Sequence, residues 1–316
     1  MTLPSNQLGA TGMEITRIGF GAWAIGGGDW EYGWGPQDDA ESVAAIERAL
    51  ELGINWIDTA GVYGFGHSEE VVGKAIAGLG ERPYVFTKAS LVQDENGREV
   101  SCLKRDSIRR EIEASLSRLG LDAVDLYQIH WPFPDEDIEE GWETFKELKE
   151  EGLVRHIGVS NFSVVHLERA ASIAPVETLQ PPFSLVERDA ETELLPFCER
   201  EGIGVIVYSP MGSGLLTGAM SHERVANFPD SDWRKSSPAF QEPELSANLE
   251  VAERVKAVAA DLGAAPGAVA VAWTLRDPAV DAAIVGFRRP DQVDDLIGAA
   301  ELELSDADVT RLTQAS

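Results

Sequence analysis

Two cysteines, Cys102 and Cys198, are all that the 316 residues contain. That is too few for a disulfide framework and points to a reducing compartment. No stretch is apolar for the length that a bilayer requires. The leading residues MTLPSNQLGATGMEITRIG carry no basic cluster followed by an apolar run, so no secretory signal is expected. A cytoplasmic protein with no membrane partner follows. Basic residues are also scarce: 26 Lys and Arg stand against 54 Asp and Glu, a formal net charge of −28. Such a surface repels nucleic-acid phosphates and anionic lipids, so no nucleic-acid partner is expected. The acidic excess reads as a solubilising face or, given how few lysines there are, as adaptation to high salt. Of the few histidines, His67, His156, His166 and His222 lack metal-ligand spacing, and no metal is expected. Internal repeats, linkers and low-complexity tracts are absent.

What remains is a globular composition, 44% hydrophobic and 25% charged, at a length ordinary for one α/β barrel. Short apolar runs alternate with amphipathic stretches along the whole chain. Strands are predicted at Ile18–Gly21, Ile54–Asp58, Val85–Lys88, Val124–His130, Ile157–Ser160, Thr178–Gln180, Val205–Tyr208 and Ala283–Val285. Helices are predicted at Asp39–Leu52, from Ser68 as cap to Ala77, Arg105–Leu119, Ile138–Glu151, Ser163–Ala171, Ala190–Glu201, Leu249–Leu262, Pro266–Thr274, Asp291–Ala299 and Ser305–Leu312. Strands apolar on both faces belong to a buried parallel sheet. About eight such units fit a closed (β/α)8 barrel or a doubly wound open sheet. The latter should open on a Gly-rich phosphate loop. The only candidate, Ile25–Gly28, runs into Asp29, Trp30 and Glu31 instead of a helix and reads as the edge of a lid. The long irregular segment Ser209–Leu245 is a candidate functional loop.

In a (β/α)8 barrel, chemistry sits at the C-terminal ends of the strands. Polar residues break the apolar pattern there: Asp58, Tyr63 just beyond it, Lys88 and His130. Their strands are consecutive, so a shared pocket is expected. The segments that hold them, IDTAGVYGFGHSEEVVGKAI (57–76), FTKAS (86–90) and DLYQIHWP (125–132), resemble motifs of the aldo-keto reductases. GVSNF (158–162), QPPFSL (180–185), YSPMGSGLLTG (208–218) and AIVGFRRPDQV (283–293) continue the resemblance in order, nearest to bacterial NADPH-dependent members.

The resemblance implies a single-domain TIM barrel over 1–316 that reduces aldehydes, and ketones in some cases, to alcohols by hydride transfer from a nicotinamide. Tyr63 is the implied proton donor, with Lys88 beside its hydroxyl, Asp58 pairing Lys88, and His130 orienting the substrate carbonyl. Cofactor contacts are implied for Ser160, Asn161, Gln180, Phe183 (as the aromatic stacking position), Tyr208, Ser209, Met211, Ser213, Leu215, Gly286, Phe287, Arg288, Gln292 and Asp295. Arg288, followed by Arg289, is expected to meet a 2′-phosphate at a helix N-terminus, favouring NADPH over NADH. Relatives often carry a basic residue where Ser213 stands. Trp23, Trp30 and Trp131, together with Trp34 and Phe133, lie in loops placed to wall a substrate pocket suited to aryl or medium-chain aldehydes. The expected partner is a small carbonyl compound, and the expected state a monomer. Two alternatives remain at this stage: a cofactor-binding regulatory subunit, and an NAD-linked alcohol or sugar dehydrogenase.

Overall fold

A computed structural model describes residues 3–28 and 30–314. Eight parallel strands close into a barrel: β1 Ile18–Gly21, β2 Trp56–Asp58, β3 Tyr84–Ala89, β4 Val124–Ile129, β5 Val154–Ser160, β6 Thr178–Gln180, β7 Gly204–Val207 and β8 Ala282–Gly286. Neighbours follow chain order, and β8 returns to β1 with Ala283 opposite Ile18 and Gly286 opposite Gly21. Strands β1, β2, β4, β6 and β7 are buried at every residue, which explains their uninterrupted apolar character. The doubly wound alternative is thereby removed.

The outer layer comprises α1 Asp39–Glu51, α2 His67–Ile76, α3 Arg105–Leu119, α4 Ile138–Glu150, α5 Val164–Ala171, α6 Leu194–Glu201, α7 His222–Ala226, α8 Glu244–Leu262, α9 Pro266–Leu275, α10 Pro290–Leu296 and α11 Asp306–Thr313. Local chemistry sets their ends. The Asp38 carboxylate accepts from the Ala40 and Glu41 amides to start α1, and Ser163 and Ser305 cap α5 and α11. Gly120, at φ +68°, stops α3 in the left-handed region. None of these helices is by itself long and apolar enough to cross a membrane, among the described residues.

The lower end of the barrel is plugged by a hairpin, Ser5–Gln7 paired with Glu14–Thr16, that the sequence reading did not anticipate. Leu8, Met13 and Ile15 from it pack on Trp56, Phe86, Leu126 and Ile206 inside the barrel. The Trp56 indole donates to the Thr16 carbonyl at 2.8 Å. Gly19 makes room for this indole: a Cβ there would lie 2.1 Å from the ring. The opposite end is thus left free for a site.

Several boundaries differ from expectation. Ser68 does not cap α2; Gly66, at φ +107°, holds that position. Ser68 is fully buried and its hydroxyl donates to the Ala22 carbonyl at 2.9 Å. The stretch 190–201 divides into a turn of 3-10 helix and α6, and 291–299 into α10 and a second 3-10 turn, Ile297–Ala300. Segment 209–245 holds α7, several 3-10 turns and the start of α8, five residues before the predicted Leu249. The single domain over 1–316 is kept as a proposal; its residues 1, 2, 29, 315 and 316 lie outside the described set.

Candidate active site

At the C-terminal mouth, strand ends bring Asp58, Tyr63, Lys88 and His130 together. Lys88 is the organising charge, and its side chain is wholly inaccessible. Its Nζ donates to Asp58 Oδ1 at 2.5 Å, to the Thr59 carbonyl at 2.9 Å and to the Tyr63 hydroxyl at 3.4 Å. All three ammonium donors are therefore used. The other Asp58 oxygen accepts from Gln180 at 3.0 Å and Gln128 at 3.3 Å. Asp58, Gln128 and Gln180 come from β2, β4 and β6, alternate strands whose inward side chains share one layer of the barrel. Gln128 was missed by the sequence reading. Its only signal is a polar residue inside an otherwise apolar, buried strand.

Burial dominates the electrostatics here. It holds the Lys88 ammonium below its ordinary value, with Asp58 opposing that shift. It pushes the Tyr63 phenol well above the usual range, and the Asp58 charge pushes the same way. His130 is held well below the ordinary imidazole value by burial and then by Lys88. At neutral pH the site therefore presents a neutral phenol and a neutral imidazole, ring centroids 5.7 Å apart, both able to donate a hydrogen bond toward one carbonyl oxygen.

A cavity of about 810 Å³ runs from these groups across the mouth. Among the expected cofactor residues, Ser160, Asn161, Gln180, Tyr208, Ser209, Met211, Ser213, Gly286, Arg288, Gln292 and Asp295 line it. Asn161 is pinned at φ +61°: its amide donates to the His130 carbonyl at 2.9 Å and accepts from the Tyr208 hydroxyl at 2.8 Å. Three expected residues do not face the cavity. Phe183 is fully buried against Trp273, ring centroids 5.1 Å apart, whereas Tyr208, just past β7, lines the cavity. Phe287 is buried against Phe20, and Leu215 packs into the core.

Arg288 lines the cavity, but its guanidinium already donates to Gln37 Oε1 at 2.6 Å and to the carbonyls of Pro36 and Trp34 at 2.6 and 3.2 Å. Two of its five N–H groups stay uncommitted. Arg289 is paired with Asp291. The expected anion site at the helix N-terminus needs correction: α10 has only seven residues, and Gln292 Oε1 already accepts from the Arg288 and Arg289 amides.

Trp23, Trp30 and Trp131 line the cavity, as do Trp34 and Phe133. Segment 209–245 reaches over to the β1 loop. The Trp233 amide donates to the Gly33 carbonyl at 3.1 Å, its indole stacks on Trp23 at 5.1 Å, and Asp232 bridges to Trp34. Beneath this contact the Arg234–Asp232 pair is buried, its guanidinium over Trp34 and Phe228. Neither Arg234 nor Arg224, which also lines the cavity, was anticipated. Among the described residues, no group of three His, Cys, Asp or Glu side chains is placed to hold a metal ion.

The profile described as the aldo/keto reductase family matches residues 17–316. The chain is 41% identical over 288 residues to the aldo-keto reductase YhdN of Bacillus subtilis, covering 90% of this chain and 85% of that protein. It is 35% identical to an NADH-specific methylglyoxal reductase of Escherichia coli, covering 97% and 96% of the two chains. Among solved structures, a glycerol dehydrogenase from Gluconobacter oxydans superposes with a TM-score of 0.84 at 37% identity, covering 98% of this chain and 93% of that one.

Proposed function

The chain belongs to the aldo/keto reductase family and is an NAD(P)H-dependent oxidoreductase of carbonyl compounds; from that premise we propose that it reduces aldehydes, and ketones of similar size, with NADPH, using Tyr63 as proton donor. The observation that carries this reading is the Tyr63 hydroxyl, kept neutral by burial 3.4 Å from the Lys88 ammonium at the floor of the cavity. A carbonyl oxygen seated between Tyr63 and His130 receives two hydrogen bonds. As negative charge builds on that oxygen, the phenol passes its proton across. The Lys88 ammonium then stabilises the phenolate left behind, and Asp58 keeps Lys88 charged in a dry site.

The residues present fit a nicotinamide dinucleotide. The cavity volume lies within the range of cofactor sites, the Tyr208 ring lines it, and Ser160, Asn161 and Gln180 offer amide and hydroxyl partners for a carboxamide. Bound there, the cofactor would supply the hydride. At the far end Ser209, Met211, Ser213, Gly286, Gln292 and Asp295 would surround its phosphates and adenosine.

The preference for NADPH rests on Arg288, which has no carboxylate partner among the described residues and keeps N–H groups for a 2′-phosphate. Arg288→Ala should raise the KM for NADPH about tenfold and leave that for NADH within a factor of about two. Because Arg288 also ties down the loop at Trp34–Gln37, loosening of that loop alone would raise both constants together, and that result would remove the assignment. We further propose action as a cytoplasmic monomer on small carbonyl substrates.

The pH dependence follows from the same shifts. A raised Tyr63 keeps the phenol intact past its ordinary value, and a lowered His130 stays neutral below its own. Reduction of a neutral aldehyde should therefore run at a nearly constant kcat from about pH 6 to about pH 9, whereas alcohol oxidation, which needs the phenolate, should rise throughout. A bell centred near neutrality for reduction would contradict this assignment. The glycerol dehydrogenase relative makes the oxidative direction the alternative; oxidation exceeding reduction at neutral pH would favour it.

A further inference from the structure

Charge is distributed unevenly around the cavity. The arginines that line it, Arg224, Arg234, Arg288 and Arg289, all come from the segments that follow β7 and β8, with Asp291 and Asp295 beside them. The loops that follow β1, β3 and β4 contribute no Lys or Arg to the wall among the described residues. They contribute aromatic faces and one carboxylate. After β3 the chain forms a hairpin, Leu91–Gln93 paired with Glu99–Ser101, which the sequence reading did not anticipate. Glu99 and Leu91 from it line the cavity beside Trp30, Tyr32, Trp131 and Phe133. Glu99 lies close enough for its charge to act on the Tyr63 phenol. Among the described residues it has no basic partner there: Arg98, its neighbour on the hairpin, is held by Asp94 at 3.0 Å.

We propose that Glu99 makes the substrate mouth a charge filter, favouring neutral and cationic carbonyl compounds and turning away those that carry a carboxylate. This rests on the carbonyl-reductase reading and extends it to substrate class. Two physical terms act together. A carboxylate in a partly dry, aromatic-walled mouth attracts a cation and repels an anion more strongly than it would in water. Indole and phenol faces also favour cations over anions. The positive side chains across the barrel suit the cofactor's phosphates, and none of them is among the charges that act on Glu99.

The filter depends on pH. Burial, and then the Glu31 charge, raise the Glu99 carboxyl to about 7. The groups facing it are Glu31 and Tyr32 from the β1 loop, Tyr63 from the β2 loop and Arg98 on its own hairpin, with His130 after β4 elsewhere on the same cavity wall. His130 is held neutral and Tyr63 un-ionised, so neither masks it. Discrimination should be weak at pH 6, where Glu99 is protonated, and strong at pH 8.

The test uses three benzaldehydes with a methylene-insulated ring substituent: trimethylammoniomethyl, methoxymethyl and carboxymethyl. At pH 8 the kcat/KM of the cationic aldehyde should exceed that of the anionic one at least tenfold, by the size of one partly screened charge interaction. The ratio should shrink at pH 6. Glu99→Gln should collapse it at both pH values, and Glu99→Asp should restore part of it. The same order is read independently as Kd from quenching of the cavity tryptophans. A flat order of Kd and kcat/KM, or a ratio unmoved by Glu99→Gln, overturns the filter. A clear order of Kd without turnover of even the methoxymethyl compound supports the filter and counts instead against the reductase reading.

Discussion

Replacing Tyr63 with phenylalanine should lower kcat for aldehyde reduction by about a thousandfold, the scale of a positioned general acid. Cofactor affinity should change little. The hydroxyl is the only atom removed, the ring keeps its contacts with Trp23, Trp30 and His130, and the lost hydrogen bond with Lys88 is a long one at 3.4 Å. Lys88 retains Asp58 and the Thr59 carbonyl, so the melting temperature should move by no more than a few degrees. Steady-state kinetics alongside cofactor titration and thermal melting separates these effects. A variant that reduces aldehydes at the wild-type rate would place the proton elsewhere.

Asp58→Asn should destabilise the fold by about 3–5 kcal/mol, the usual cost of leaving one member of a buried ion pair alone. Side-chain exposures of 0% for Lys88 and 4% for Asp58 make water a poor substitute. Without Asp58, burial of Lys88 is opposed only by the weaker charge of Glu69, and its folded value falls further below the unfolded one. The unfolded chain then binds more protons than the folded chain at pH 7, so the variant should gain stability as pH rises toward about 10. The double variant Asp58→Asn/Lys88→Met should recover much of the loss, because an apolar side chain carries no desolvation penalty. Urea unfolding at pH 7 and pH 9.5 reads all three outcomes. An Asp58→Asn variant as stable as wild type at pH 7 would mean that Lys88 is not held as a buried cation.

The barrel was legible because its strands are buried on both faces and its helices carry capping signals such as Asp38 and Ser163. The polar residues at strand ends were legible for the complementary reason: Asp58, Lys88 and His130 interrupt apolar runs where a barrel opens. What local pattern does not encode is which aromatic turns inward. Phe183 and Tyr208 both follow strand ends, and only the packing of Phe183 on Trp273 of α9 decides that Tyr208 faces the cavity. Gln128 was hidden because its partners, Asp58 and Gln180, lie on strands remote in sequence. The hairpin bearing Glu99 was hidden because its strands are three residues each and its Leu91 packs on a small cluster at Ala60, Val62 and Tyr63, apart from the main core. Arg288 stands out in the sequence of so acidic a chain, but its tether to Gln37, Pro36 and Trp34 depends on a loop some 250 residues away.

The central claim is that this cavity performs carbonyl reduction with a nicotinamide cofactor. The wild-type protein should be mixed with NADPH and the methoxymethyl benzaldehyde, and NADPH loss followed together with chromatographic appearance of the alcohol. The account predicts repeated turnovers, with one alcohol formed for each NADPH consumed. Tight NADPH binding with at most a single turnover would contradict it and leave a cofactor-binding regulatory protein as the better description.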